Sequence, residues 1–205
     1  AIEWCFFLVE IAAAMIYYYG WEKLSPKTHV RIGWIYFVAA YMSLVVINGI
    51  LSFMLTPGRW TETGNFWHGI LNPSYFPSLF LRTGVALSLT GLYALLTASL
   101  IKSDAFRAKM VRYTSKWVFV GIGVMPLAGL WYLFSIPHAA RMIAFGGAPA
   151  VTIFLALSLG ISVFLLIFTW WAAWRTPSRF SPALASLFLV VGFTVTATSE
   201  WVREA

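Results

Sequence analysis

Six stretches of this chain are continuously apolar over the length a helix needs to cross a bilayer. That constraint outranks every other feature of the sequence. A spanning helix takes roughly 20 mostly apolar residues, and the stretches lie at about 2–21, 31–56, 79–102, 115–136, 150–174 and 183–201. Their apolar residues run on without alternation, which excludes the strands of a membrane β-barrel. In lipid the backbone must satisfy its own N–H and C=O groups, so helix is the remaining way to span. The expected fold is all-α: a polytopic membrane bundle of six transmembrane helices, forming one domain over residues 1–205.

Composition agrees. Hydrophobic residues make up 60% of the 205 and charged residues 10%, against about 25% charged in an ordinary soluble domain. The 11 tryptophans suit a protein whose helix ends sit in two membrane interfaces. A single cysteine, Cys5, excludes a disulfide framework, an iron–sulfur cluster or a CxxCH haem attachment within the chain. The first span is no signal peptide, because it lacks a basic start and a small-residue cleavage site and carries two glutamates. The chain starts without Met and almost directly in apolar sequence, so an earlier helix is expected before Ala1.

The connecting segments set the orientation. Lys23, Lys27 and Arg31 fall at 21–31, then Lys102, Arg107, Lys109, Arg112 and Lys116 at 102–116, then Arg175 and Arg179 at 175–182. The other two connections, 57–78 and 137–149, hold only Arg59 and Arg141, a split of ten to two. The positive-inside rule therefore puts the basic loops in the cytoplasm. Segregation of this kind also explains a pI near 9.8 without a nucleic-acid partner.

Few polar residues inside the spans could carry chemistry. Glu3 and Glu10 are seven apart, close to two helical turns, so both carboxylates share a face. Intramembrane carboxylates face a bundle interior or a water path, which suggests a proton pathway or an anionic group beside a cofactor. Glu3 also fits an interfacial helix end. Glu200 lies at the outer end of the last span, three residues before Arg203, where it could pair with that arginine or ligate a haem iron. Arg82 begins the third span; it could snorkel to the interface or meet a haem propionate or a quinol oxygen with its planar fork. His29, His68 and His138 map to loops or their edges. No pair of facing helices thus carries two histidines at matched depth. His68 could touch a cofactor edge or be a surface residue, and the Tyr17–Trp21 run reads as an interfacial belt. Only the fourth span, with Gly121, Gly123 and Pro126, looks interrupted, and without a matching broken helix a transporter is the weaker reading.

Several elements together resemble the large subunit of cytochrome bd quinol oxidases. They are Ala1-Ile2-Glu3, Phe6-Phe7-Leu8, the Gly20-Trp21-Glu22-Lys23-Leu24-Ser25-Pro26 turn, Asn48-Gly49, Leu71-Asn72-Pro73 and Thr83 after Arg82. The similarity is good over about 1–135 and weak beyond, where Glu200-Trp201 resembles an element whose carboxylate binds a haem b. The resemblance implies a subunit of a respiratory electron-transfer complex in a bacterial or archaeal cytoplasmic membrane. Its cofactors would be haem b and quinol, with Glu200 as haem-iron ligand, Arg82 and His68 near propionates, and Glu3 and Glu10 on a proton path. Partners would be other membrane subunits, peripheral redox or cytochrome c subunits, and the lipid bilayer.

The departures point to a second reading. Arg82 stands where that family has the histidine of its low-spin haem b. The long loop that forms the quinol site is contracted here to about 137–149. Glu3 and Glu10 are seven apart where the family's pair is eight apart, and the family's first helix is absent from this sequence. A haem-free membrane anchor holding peripheral redox subunits or cytochromes is the alternative.

The orientation can be checked directly. Cysteines placed at Lys109 and Thr63 should label from opposite sides of the membrane; labelling of both from the outside would overturn the topology.

Overall fold

The structure is a computed structural model that describes residues 2–204, with side-chain surroundings described through residue 202. Six helices are long and apolar enough to cross a membrane, at Ile2–Tyr19, Pro26–Leu55, Tyr75–Ser99, Asp104–Ser135, Pro149–Arg175 and Pro182–Val202. The expected all-α membrane fold is what forms. The chain divides into two compact units, residues 1–79 and 80–205.

The first unit is built on a helical hairpin, α1 (Ile2–Tyr19) against α2 (Pro26–Leu55). Entry into α2 is fixed locally. The Ser25 hydroxyl accepts the Thr28 N–H at 3.3 Å, and Pro26 takes the first helical position, where its missing N–H costs nothing. The hairpin closes on small residues: Ala13 and Ala39 are buried. A Cβ at Gly33 would lie 3.1 Å from the Tyr17 ring. His29, expected near a loop, sits in the first turn of α2 with its ring 4.1 Å from Tyr17 and 4.7 Å from Trp21. Part of the aromatic run thus closes the turn, while Tyr18 and Tyr19 stay exposed as a belt would.

The 57–78 connection is not open loop. It folds into two short helices, α3 (Trp60–Thr63) and α4 (Phe66–Ile70), before α5 (Tyr75–Ser99) begins. Gly58 and Gly64 take positive φ values of 59° and 63° at its corners, and the Asn65 side chain caps α4 by accepting the Trp67 N–H at 2.9 Å.

The second unit holds the rest of α5, then α6 (Asp104–Ser135), α7 (His138–Met142), α8 (Pro149–Thr169) and α9 (Pro182–Glu204). Helix α6 starts well before its apolar stretch. Arg and Lys are good helix formers, and their charged heads reach water while the backbone keeps its hydrogen bonds. The core gathers Leu92, Leu95, Val111, Val118, Phe180 and Phe188 near the basic end of the unit, with the Phe180 and Phe188 rings edge to face at 5.5 Å.

Pro126 does not interrupt the fourth span. Helix α6 continues through it, since one lost N–H donor in a long, packed helix leaves the neighbouring turns intact. Gly121 acts instead at the crossing with α5, whereas a Cβ at Gly123 would meet nothing within 4 Å. A Cβ at Gly84 would lie 2.9 Å from the Gly121 carbonyl, and one at Gly91 2.7 Å from the Val118 amide; a Cβ at Gly121 would strike Ser88. Small residues at a membrane crossing let two backbones approach and gain dispersion contact. Regular α geometry is lost elsewhere, in π-helical turns at Ile143–Gly147 and Trp170–Arg175.

Hydroxyls within α9 are satisfied by their own helix. Thr194, Thr196, Thr198 and Ser199 each donate to the carbonyl four residues back at 2.7–3.0 Å. The Ser158 and Ser199 hydroxyls also meet at 2.6 Å between α8 and α9. These bonds remove the cost of bare hydroxyls in lipid.

Overpacking of the α5–α6 crossing is the sharpest stability test. Gly121→Ala should destabilise by about 1–3 kcal/mol and Gly121→Leu should prevent folding, both read as thermal melting in detergent.

Candidate functional site

Glu3 and Glu10 fall on one strip of α1 with Phe6, Ala13 and Ala14. Ala13 is buried and the others are half-buried, and α2 is the helix that α1 packs along. The carboxylates therefore follow the packed side of the helix. Phe7, one residue from this strip, is exposed. Ala13, three residues beyond Glu10, is the small buried residue of this strip, of the kind that lets two membrane helices approach.

His68 lies on α4, half-buried. Its Nδ1 meets the Thr63 hydroxyl at 2.8 Å, and Thr63 in turn donates to the Arg59 carbonyl. The ring is thereby oriented by the α3–α4 turn. Arg82 is half-buried on α5 and Glu200 half-buried on α9, and each already has an interacting partner. The expected pairing of Glu200 with Arg203 falls outside the described side chains. Among the described residues no group of three or more His, Cys, Asp or Glu side chains is set to hold a metal.

The most organised polar feature was not anticipated. Asn48, Ser52 and Thr56 occupy successive turns of one face of α2 and are buried together with Asn72, Ser74 and Ser78. The Asn48 amide donates to the Tyr75 carbonyl at 2.9 Å and accepts from the Ser78 hydroxyl at 2.8 Å. The Asn72 amide donates to the Ser52 hydroxyl and the Gly69 carbonyl, both at 2.9 Å. Its oxygen accepts from the Ser74 N–H at 3.1 Å, and the Thr56 hydroxyl touches both Asn72 and Ser74. The Tyr75 hydroxyl reaches back to the Val45 carbonyl at 3.2 Å. Gly49 makes room, since a Cβ there would lie 3.0 Å from Ile70.

This network ties the end of α2 to α4 and to the first turn of α5. It gives Asn48-Gly49 and Leu71-Asn72-Pro73 one common structural role. The i, i+4, i+8 spacing of Asn48, Ser52 and Thr56 inside an apolar span was a legible signal for it. Asparagine is the hub because one amide both donates and accepts in several directions.

Does the second unit fit a haem? A small pocket between Ser88, Leu92, Met125, Leu165 and Thr196 measures about 20 Å³, room for a single water. The one histidine of that unit, His138, is exposed and lies outside the spanning helices. Arginine offers iron no lone pair. Among the described residues of this unit, then, no histidine within a spanning helix is placed to ligate a haem iron.

An all-α chain with six membrane-length helices and carboxylates set along a packed helix face is a multi-pass membrane protein. Residues 1–144 match the family model of cytochrome bd terminal oxidase subunit I, and the chain belongs to that family. It is therefore a membrane subunit of respiratory-oxidase kinship. No curated protein and no solved structure matches it.

Truncating the hub of the network tests its role. Asn72→Ala leaves the Ser52 and Ser74 hydroxyls and the Ser74 amide short of partners, at about 1–3 kcal/mol for each group left bare. Faster proteolysis within residues 57–74 should accompany a lower melting temperature.

Proposed function

We propose that the chain is a haem-free anchor subunit of a respiratory electron-transfer complex in a bacterial or archaeal cytoplasmic membrane. It would hold peripheral redox or cytochrome c subunits, and other membrane subunits, against the bilayer. The observation that carries this reading is Arg82, half-buried on α5 at the position where the family resemblance calls for a haem-ligating histidine. On the outward side the reading assigns docking to the α3–α4 segment, which presents Trp60, Phe66 and Trp67 to its surroundings. Exposed aromatics of that kind are what protein interfaces are enriched in.

Under this reading Glu200 and His68 are not needed for haem. Glu200→Gln and His68→Ala should leave the haem b content of the purified complex unchanged, measured as pyridine haemochrome per copy of this chain. Loss of a stoichiometric haem in either variant would replace the anchor by a haem-binding, quinol-oxidising subunit.

A proton path is the second reading, favoured by the placement of Glu3 and Glu10 along the side of α1 that packs on α2. A charged carboxylate at mid-helix costs roughly 2.5–3.5 kcal/mol in lipid, so sheltering Glu10 serves either role. Glu10→Gln should leave assembly intact. If Glu10 carries protons, that variant slows turnover coupled to proton uptake; if it only packs, Glu10→Gln is silent and Glu10→Leu impairs assembly.

A further inference from the structure

At the basic end of the second unit, two arginines lie on two tryptophans. The π-helical turn Trp170–Arg175 widens the helix so that residues five apart come into register. The Arg175 guanidinium accordingly sits 5.1 Å from the centre of the Trp170 ring, and the Thr176 hydroxyl closes the turn on the Trp171 carbonyl at 3.0 Å. Arg112, from α6, crosses to the same turn. Its Nε donates to the Trp174 carbonyl at 3.3 Å and its guanidinium lies 5.9 Å from the Trp174 ring. That carbonyl belongs to the peptide joining Trp174 to Arg175, so Arg112 is fastened to the turn at the residue beside Arg175.

Both arginines are exposed. Positioning Arg112 through Nε leaves its two terminal nitrogens for an outside acceptor. The lone acid of the 102–116 and 175–182 segments, Asp104, pairs with Arg107 at 2.6 Å and neutralises neither. Lys109 and Lys116 add exposed positive charge on α6. Arginines held on indoles at a membrane-length helix end combine three features. They are a planar fork that fits phosphate, a cation–π platform that fixes it, and tryptophans at headgroup depth.

We propose that Arg112 and Arg175, seated on Trp174 and Trp170, form a binding site for the phosphate of an anionic glycerophospholipid in the adjacent leaflet. The apolar faces of the same tryptophans would receive the start of its acyl chains. π-Helical turns recur at functional sites, and basic pockets beside membrane helices select anionic headgroups. The proposal is independent of whether the chain binds haem.

The test is native mass spectrometry of the purified complex titrated with phosphatidylglycerol, cardiolipin or phosphatidylcholine. The wild type should retain the anionic lipids and release phosphatidylcholine. Loss of each arginine should weaken retention about five-fold, so R112Q/R175Q should weaken it about 25-fold. R112K/R175K keeps the charge without the fork and should fall between, and it carries the test if the glutamine pair fails to fold. The charge-matched K23Q/K27Q, at exposed lysines outside the site, should bind as the wild type does. Unchanged anionic-lipid retention in R112Q/R175Q overturns the proposal, as does an equal loss in K23Q/K27Q, which would mean diffuse attraction. Full displacement by millimolar inorganic phosphate would make it a soluble-anion site. Departure of a partner subunit from R112Q/R175Q with lipid retention intact would make it a protein contact.

Discussion

Every polar group inside the bilayer must find a partner within the protein, and the arrangement of this chain follows from that requirement. Backbone groups meet it by forming helix over the whole of each span. Hydroxyls of α9 meet it by bonding to the preceding turn. The amides of Asn48 and Asn72 meet it by reaching across to other elements. Local and long-range solutions have different consequences. A threonine that bonds to its own helix positions nothing else, whereas a buried asparagine fixes whatever carries its partner. This is why the α2–α4–α5 junction is defined more tightly than its short helices alone would permit.

With little hydrophobic drive between helices in lipid, contact must come from close packing. Gly84, Gly91 and Gly121 supply it at one crossing, and Ala13, Ala39 and Gly33 in the α1–α2 hairpin. The same logic bears on Glu10. It is half-buried on the strip that carries the buried Ala13, so the acidic residue and the small one share the same side of α1.

Family membership in this protein speaks first for architecture. The first 144 residues carry the stamp of a bd oxidase large subunit, and the network built from Asn48 and Asn72 shows what the shared elements do: they hold the junction between helices together. The position of Arg82 concerns chemistry instead. A scaffold persists when its packing and hydrogen bonds are kept, independently of whether a redox group is held. The anchor reading rests on that separation between architecture and cofactor.

The sequence alone determined the helical class, the six spans and the sharing of one α1 face by Glu3 and Glu10. Each depends on hydrophobicity or local period, and both are properties of neighbouring residues. It did not show that the 57–78 connection folds into the short helices Trp60–Thr63 and Phe66–Ile70, a segment tied to α2 through Asn72 and Ser52. It also misjudged Pro126, because a long helix with packed turns on both sides tolerates one missing donor. Only the tertiary structure decided that Asn48 and Ser78 meet, 30 residues apart, and that Arg112 lies on Trp174, 62 residues away. Such pairings depend on which turn of one helix faces which turn of another. That register is set by the packing of whole faces, and no local stretch of sequence contains it.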